Sequence, residues 1–367
     1  MKIKGKEFQT IWLDKNDPAI VKVIDQRKLP FEIKITGLKT KEQVYSAISD
    51  MTVRGAPLIG VTAAYGMYLA LLNFKGNDID SGLAETAAYF KSSRPTAVNL
   101  AFAVDGLVEA VQGKPREEAI EISRNFADSL KQKELDDSFK IGEAGLPLLR
   151  EIYSQKQDTV NILTHCNAGW LACIDWGTAT APIYKAYREG IPVHVWVDET
   201  RPRNQGARLT AFELGEEGVP HTVIADNTGG HLMQHGMVDI VLIGSDRTTV
   251  TGDVANKIGT YLKALAAYDN KVPFYAALPS SSIDWTIEDG ITRIPIEKRN
   301  PEEVSTIEGW NGTRTVKVSL IPGKSEAANY GFDVTPARLV TGLITERGIC
   351  RAASQSILTL FPEKKNL

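Results

Sequence analysis

Two residues with reactive side chains end apolar segments that predict buried strands. Cys166 ends the segment 160–166, and Asp246 ends the segment 238–246. Because a helix should follow the first strand, we expect Cys166 to face a helix N-terminus, whose dipole stabilises a thiolate. A carboxyl group held against an apolar strand favours its neutral form, so Asp246 could donate a proton. The alternatives are ordinary packing of a buried cysteine and a helix cap or solvated strand end.

Three cationic segments could bind an anion such as a phosphate group. They comprise Arg54 with Gly55 and Ala56, Arg94, and Asn256 with Lys257, while Gln205 adds an amide. The first precedes Pro57, which predicts a helix N-terminus with free backbone N–H groups beside a guanidinium. The second precedes Pro95, at another predicted helix start. Taken singly, each is more commonly a solvated charge or a helix cap.

Several common catalytic motifs are missing from the sequence. The chain has no G-x-G-x-x-G after its first predicted strand, no G-x-x-x-x-G-K-[ST] loop and no G-x-S-x-G. His231 and His235 have a metal-like spacing but lack the glutamate of H-E-x-x-H and an adjacent third ligand. We therefore expect no metal and interpret this pair as solvent-facing.

The composition is that of a soluble globular protein. Of 367 residues, 43% are hydrophobic and 24% charged, and the net charge of −3 gives no general attraction to nucleic acid or anionic membranes. Three cysteines without metal-ligand spacing favour a reducing compartment. The N-terminus lacks the apolar core of a signal peptide. The uncharged stretch 55–74 predicts a buried helix, so we expect a cytoplasmic protein that does not span a membrane.

The pattern changes near residue 158, which predicts domains over 1–157 and 158–367. After an extended start, the first part predicts helices over 40–48, 57–74, 80–91, 96–111, 115–132 and 138–154. The second predicts strands over 159–164, 193–197, 221–225, 240–243 and 273–277, with helices over 178–188 and 205–217. Such alternation predicts an α/β fold, in which a mostly helical domain precedes a Rossmann-like, doubly wound parallel sheet. Ligands bind at the carboxyl ends of such strands.

Ten short motifs lie in order along nearly the whole chain. They are Asp25–Arg27, Val53–Pro57, Ser93–Ala97, Thr164–Gly169, Asp198–Pro202, Gln205–Arg208, Gly252–Asp253, Ala255–Thr260, Pro295–Arg299 and Phe332–Pro336. No single motif is decisive, but the ordered set resembles the S-methyl-5-thioribose-1-phosphate isomerases of methionine salvage. That family is similar in fold to the regulatory subunits of the nucleotide exchange factor of translation initiation.

The resemblance implies a cofactor-free homodimer that acts on a small sugar phosphate and uses no metal. Asp246 would be the proton donor, and Cys166 would assist at the transition state. The implied substrate-binding residues are Arg54, Gly55, Ala56, Arg94, Gln205, Asn256 and Lys257. The reaction would convert 5-methylthioribose 1-phosphate into 5-methylthioribulose 1-phosphate. Protonation of the ring oxygen opens the sugar, and hydrogen then moves from C2 to C1, either as a proton taken by a thiolate or as a hydride.

Some residues depart from the family pattern, and other substrates stay open. Trp170, Asp175, Trp176 and the segments 244–251 and 311–330 are unusual, so we expect differences near the 5-substituent. A 5-deoxyribose 1-phosphate isomerase is the main alternative, since exchanging methylthio for methyl changes only an apolar contact, worth roughly 1–3 kcal/mol. A ribose 1,5-bisphosphate isomerase would need a second cationic cluster. A non-catalytic regulatory subunit would lack the thiol or the acid.

Overall fold

The N-terminal half is mainly helical after a short extended segment. The computed structural model describes residues 1–94 and 98–365. The strands of this half are β1 (Lys2–Ile3), β2 (Lys6–Glu7), β3 (Ile11–Leu13), β4 (Val21–Ile24) and β5 (Ile35–Leu38), of which β3, β4 and β5 form an antiparallel sheet. The helices are α1 (Lys41–Ser49), α2 (Ala56–Asn73), α3 (Ile79–Ser93), α4 (Val98–Val111) and α5 (Arg116–Lys156). The predicted start of α4 at Thr96 lies outside the described residues.

Helix α2 forms the centre of this half. Among the described helices it is the one long and apolar enough to cross a membrane, but 83% of it is buried inside the protein. Its glycines allow close packing: a Cβ atom on Gly60 would lie 2.9 Å from the carbonyl oxygen of Asn99. The prediction of a buried core helix is therefore confirmed.

Helix α5 corrects the prediction of two helices over 115–132 and 138–154. It is one continuous helix of 41 residues. The charged segment between the two predicted helices interrupts the apolar periodicity, but its side chains find polar partners inside the protein. Glu134 is buried and accepts a hydrogen bond from the Ser281 hydroxyl at 3.0 Å, and Asp137 pairs with Lys133.

The remainder of the chain builds the large sheet and its neighbours. The strands are β6 (Val160–Thr164), β7 (Val193–Asp198), β8 (His221–Ile224), β9 (Ile240–Ile243), β10 (Arg247–Thr249), β11 (Val254–Lys257), β12 (Phe274–Ala277), β13 (Ile283–Asp284), β14 (Thr306–Trp310), β15 (Thr315–Ser319), β16 (Phe332–Thr335), β17 (Gly342–Thr345) and β18 (Gly348–Cys350). The helices are α6 (Thr180–Arg188), α7 (Ala211–Glu217), α8 (Thr228–Gln234), α9 (Thr260–Asp269), α10 (Gly290–Arg293), α11 (Glu302–Ser305) and α12 (Ser354–Leu360).

The large sheet has the order β18-β17-β12-β9-β6-β7-β8 and is parallel except for β18. Successive residues of one strand enter cores on opposite faces: Ile162 packs with α5 and α6, whereas Leu163 packs with α8 and α9. The α/β fold with a doubly wound sheet is thus confirmed. Strands β17 and β18 were not predicted. Helix α5 of the N-terminal half packs on α6 and β17, which belong to the second half. The domain boundary near residue 157 therefore stays a prediction.

A second, smaller sheet stands beside the large one, in the order β13-β10-β11-β16. Its β10 and β11 form an antiparallel hairpin in which Arg247 pairs with Ala255. Gly252, at a φ of 96°, lies in the turn, where a residue with a side chain would be strained. This hairpin folds the chain back so that its two ends come together beside the large sheet.

Candidate active site

The two reactive residues follow neighbouring strands of the large sheet. Cys166 comes two residues after β6, and Asp246 comes three residues after β9. Strands β6 and β9 are neighbours in the large sheet. The next strand of this sheet after β6 is β7, on one side of the pair, and the next after β9 is β12, on the other side. The chain therefore leaves β6 and β9 in opposite directions across the sheet. Such a reversal opens a crevice at the carboxyl ends of the strands, where ligands bind in folds of this type.

One small cavity at that crevice contains most of the predicted site residues. The lining residues are Arg54, Gly55, Ala56, Pro57, Cys166, Asn167, Ala168, Ala172, Cys173, Thr178, Gly244, Ser245, Asp246, Asn256 and Pro279. We call this the catalytic cavity. Its volume is about 30 Å³.

Cys166 is buried in a strained loop and not at a helix N-terminus, which corrects our expectation. Its φ is 66°, its backbone N–H donates to the Thr200 hydroxyl at 2.9 Å, and the next α-helix begins only at Thr180. Burial raises the pKa of the Cys166 thiol, while the charges of Arg54 and Lys257 act to lower it. The thiol form is therefore favoured, and a thiolate would be stabilised by these two cations and by a hydrogen bond from the Asn167 backbone.

Asp246 is held by the turn from the large sheet into the hairpin. Its backbone N–H donates to the carbonyl of Ala255 at 3.0 Å. Burial raises the pKa of its carboxyl group, and the charges of Lys257, Arg54 and Arg94 only partly oppose this effect. The expected neutral acid is thus consistent with its surroundings, in which a proton could be given to a bound molecule.

Arg54, Gly55 and Ala56 form the start of helix α2, as predicted. A Cβ atom on Gly55 would lie 2.3 Å from the carbonyl oxygen of Ala172, and its φ is 95°, so this position requires glycine. The guanidinium of Arg54 donates two hydrogen bonds to Asn167, to its side-chain oxygen and to its backbone carbonyl, the latter at 2.8 Å. This arrangement fixes a cation beside the N-terminus of helix α2.

Arg94 has unpaired hydrogen-bond donors inside the protein. It caps the C-terminus of α3, and the helix start predicted at Pro95 lies outside the described residues. Only 7% of the side chain is exposed, its Nε and Nη1 atoms have no hydrogen-bond partner, and Glu297 lies 3.6 Å away. Burial lowers the pKa of this guanidinium. Unpaired buried donors on a cation are typical of an anion-binding residue without its anion.

Asn256 and Lys257 end strand β11, opposite Asp246. Lys257 is buried, and its ammonium donates to the carbonyl of Gly331 at 2.9 Å. Burial lowers the pKa of Lys257, whereas the neighbouring Cys166 and Asp246 raise it. The Asn256 amide donates to Thr260 at 3.0 Å. Lys257 and Arg94 thus lie behind the catalytic cavity and within electrostatic reach of Asp246.

Gln205 lies in a second cavity and not in the first. The lining residues of this cavity are Gln26, Arg27, Met51, Arg54, Arg203, Gln205, Arg208 and Leu209. We call it the glutamine cavity. It adjoins the catalytic cavity at Arg54, which lines both. Gln205 directly precedes a π-helical turn, Gly206–Thr210, a feature that is frequent at functional sites.

Glu213 supports the site, and our sequence analysis missed it. This fully buried carboxylate accepts hydrogen bonds from the backbone N–H groups of Trp170 and Leu171 and from the Asn167 amide, at 2.6–3.1 Å. Burial raises the pKa of Glu213 to about 7. Because Asn167 in turn binds Arg54, Glu213 orients the Arg54 guanidinium indirectly. A glutamate between Phe212 and Leu214 was the available signal.

The best cation-binding geometry in the described part of the chain already contains an ammonium group. His165, Asp198 and Asp226 could converge on a metal ion, but the Lys263 ammonium lies 3.1 Å from the Asp198 carboxylate. His165 also contacts Asp198 directly at 2.8 Å. His165, Asp198 and Lys263 thus form an internal polar network. His231 and His235 are exposed, as the sequence predicted.

Of the residues that depart from the family pattern, Ser245 lines the catalytic cavity, whereas Trp170, Asp175, Trp176 and the segment 311–330 line neither cavity. Trp170 is buried in the core beside α5, and Trp176 packs edge-on against Phe139. Asp175 pairs with the amino group of Met1 at 2.7 Å. The segment 311–330 continues the hairpin of β14 and β15 and lines neither cavity. The expectation that these residues differ near the 5-substituent therefore stays a prediction.

Known proteins resemble this chain over almost its full length. A methylthioribose-1-phosphate isomerase of Desulfatibacillum aliphaticivorans is 56% identical and covers 99% of this chain and 100% of that protein. The crystal structure of a 5-methylthioribose 1-phosphate isomerase from Pyrococcus horikoshii is 36% identical, with a TM-score of 0.82 and coverage of 98% and 97%. A translation initiation factor eIF-2B subunit delta from A. fulgidus is 34% identical, with a TM-score of 0.77 and coverage of 97% and 100%.

A family model also matches. It is described as the initiation factor 2 subunit family and covers residues 52–352, which include every predicted site residue. The resemblance first inferred from ten motifs is thereby confirmed on independent grounds. The chain belongs to the initiation factor 2 subunit family, in which its full-length relatives are named methylthioribose-1-phosphate isomerases.

Proposed function

We propose that this chain is an aldose–ketose isomerase that converts 5-methylthioribose 1-phosphate into 5-methylthioribulose 1-phosphate. The observation that carries the proposal is that Cys166 and Asp246 line one buried cavity whose wall also contains Arg54. The full-length relatives at 52–56% identity that carry this enzyme's name support the same substrate.

Ring opening is the step that needs an acid. The anomeric oxygen of an aldose 1-phosphate is blocked, so the ring does not open spontaneously to an aldehyde. In our proposal the neutral Asp246 protonates the ring oxygen as the bond from that oxygen to C1 breaks. Arg54, Arg94 and Lys257 neutralise the phosphate and, with Asn256 and Gln205, fix the sugar for this step.

Hydrogen then moves from C2 to C1, and the state of Cys166 bears on the route. A thiolate base would take the proton bound to C2, whereas direct hydride transfer needs no base for that hydrogen. In the hydride route the C2 hydroxyl group gives its proton back to the Asp246 carboxylate as the carbonyl forms, which restores the neutral acid. Because burial raises the pKa of Cys166, the structure favours a neutral thiol and hence the hydride route. Substrate deuterated at C2 tests this: the hydride route retains the label in the product, and complete exchange with solvent would contradict it.

The function itself is tested by comparing substrates. We expect the highest kcat/KM with 5-methylthioribose 1-phosphate, a lower value with 5-deoxyribose 1-phosphate, and little turnover of ribose 1,5-bisphosphate. The other arginines that line the glutamine cavity are already paired with carboxylates, Arg27 with Asp25, Arg203 with Glu303 and Arg208 with Glu308, so they are poorly suited to a second phosphate. No turnover of any of the three would refute the proposal. A higher value for the 5-deoxy substrate would reassign the enzyme.

The assembly and the compartment are also proposals. We propose a homodimer that acts in the cytoplasm, as the family resemblance implies. The free thiols of Cys166, Cys173 and Cys350 support a reducing compartment. Light scattering after size-exclusion chromatography should give about 80 kDa, twice the 40.2 kDa of one chain. A mass of one chain would refute the dimer.

A further inference from the structure

Two buried carbonyl oxygens at the glutamine cavity have no hydrogen-bond partner. They belong to Gln26 and Gln205, each of which is 4% exposed and lines that cavity. Buried polar atoms are nearly always paired, so an unpaired one beside a cavity indicates a missing partner. Gln26 belongs to the first of the ten sequence motifs, and it has no role in the mechanism proposed above.

The orientation of the Gln26 amide is determined by its neighbours. Its Nε2 donates to the carbonyl of Leu171 at 2.6 Å, and its backbone N–H donates to the carbonyl of Thr52 at 3.0 Å. A flipped amide would place two oxygens against each other at Leu171, so the flipped form is disfavoured. The unpaired Oε1 is therefore an acceptor held in place before any ligand binds.

The chemistry of this acceptor identifies the group that it binds. A carbonyl oxygen needs a hydrogen-bond donor, which a phosphate dianion cannot supply but a hydroxyl group can. The glutamine cavity adjoins the catalytic cavity at Arg54, so one small molecule could occupy both. A furanose 1-phosphate carries hydroxyl groups on C2 and C3, within a few ångströms of the reacting carbons.

We propose that Gln26 is a further substrate-binding residue, whose Oε1 accepts a hydrogen bond from a ring hydroxyl group of the sugar. This inference rests on the proposed function. The substrate then extends from the catalytic cavity past Arg54 into the glutamine cavity. Gln26 selects sugars with that hydroxyl group, because a ligand that lacks it leaves the buried acceptor unpaired.

The test combines a protein variant with altered substrates. Dissociation constants are measured for wild type and Gln26→Met with 5-methylthioribose 1-phosphate and with its 2-deoxy and 3-deoxy analogues, the last two as competitive inhibitors. Wild type should bind one analogue roughly 10- to 100-fold more weakly than the parent sugar. Gln26→Met should bind the parent about equally weakly and should no longer distinguish it from that analogue.

One control variant and the turnover of wild type separate the possible failures. Thr36→Val removes a buried unpaired hydroxyl that lines neither cavity and should leave all three constants unchanged. If wild type turns over the parent sugar but Gln26→Met weakens all ligands by one factor, the Gln26 inference is overturned. If wild type has no turnover, the proposed function fails instead.

Discussion

Replacing Asp246 with asparagine tests the acid at the centre of the mechanism. Asparagine has nearly the same shape but cannot transfer a proton to the ring oxygen. General acid catalysis contributes about 10²–10⁴-fold, or about 3–5 kcal/mol of the barrier. Asp246 is the one carboxyl group among the residues that line the catalytic cavity, so no neighbour there can replace it. We therefore expect kcat to fall by about 10⁴-fold.

The binding constant of the same variant reports the charge of Asp246. If the acid is neutral in the free enzyme, Asp246→Asn changes no charge, and the dissociation constant of the substrate should stay within a few-fold of wild type. If Asp246 were ionised, its removal would take away repulsion from the phosphate and tighten binding. Tighter binding would therefore refute the neutral acid, even if kcat falls.

The assay needs a matched control and a pH series. Asp239→Asn alters an aspartate at the opposite end of strand β9 and should leave kcat within a few-fold of wild type. In wild type, kcat should decline as pH rises through the raised pKa of Asp246, because only the protonated acid is active. Turnover of Asp246→Asn within tenfold of wild type would refute the assignment. Product is measured directly as the ketose, by NMR.

Three further predictions concern the supporting residues. Gly55→Ala should destabilise the fold and abolish activity, because the added Cβ would clash with Ala172. The control is Gly113→Ala, at a similar φ of 74° but with open space around it, which should lower the melting temperature slightly and leave activity unchanged. Arg94→Met should weaken inhibition by inorganic phosphate about 100-fold without loss of stability, since it removes a buried cation; unchanged inhibition would contradict its role. Burial raises the pKa of Glu134 from 4.5 to about 7. Between pH 4.5 and pH 7 the folded protein therefore keeps a proton that the unfolded chain has lost. The free energy of unfolding should fall as the pH rises through this range. Glu134→Gln should reduce that fall by about 3 kcal/mol in urea titrations at pH 5 and pH 8, and an unchanged fall would contradict the burial argument.

Local sequence patterns were sufficient to predict five parallel strands of the large sheet, namely β6, β7, β8, β9 and β12. Apolar runs rich in valine and isoleucine have to be buried on both faces, so β6 and β9 were predicted within a residue or two. Their ends placed Cys166 and Asp246 at the same edge of a sheet. Pro57 predicted the start of α2 because proline is favoured in the first turn of a helix.

Long-range packing decided what local patterns could not. The charged middle of α5 stays helical because Glu134 finds Ser281, which lies 147 residues later in the chain. The short strands β17 and β18 are held by pairing with the sheet edge and carry little signal of their own. Periodicity reports only local burial, so it cannot detect such distant partners.

The candidate site shows the same division. The types of its reactive residues were determined by the sequence, since a thiol, an acid and nearby cations stand at strand and helix ends. Only the tertiary structure decided their electrostatic state and support. Three features depend on which groups the fold removes from water and which of them it leaves without a hydrogen-bond partner. They are the raised pKa of Cys166, the unpaired donors of Arg94 and the buried acceptor of Gln26. Desolvation depends on all the groups that surround a residue, so it cannot be predicted from a short segment of sequence.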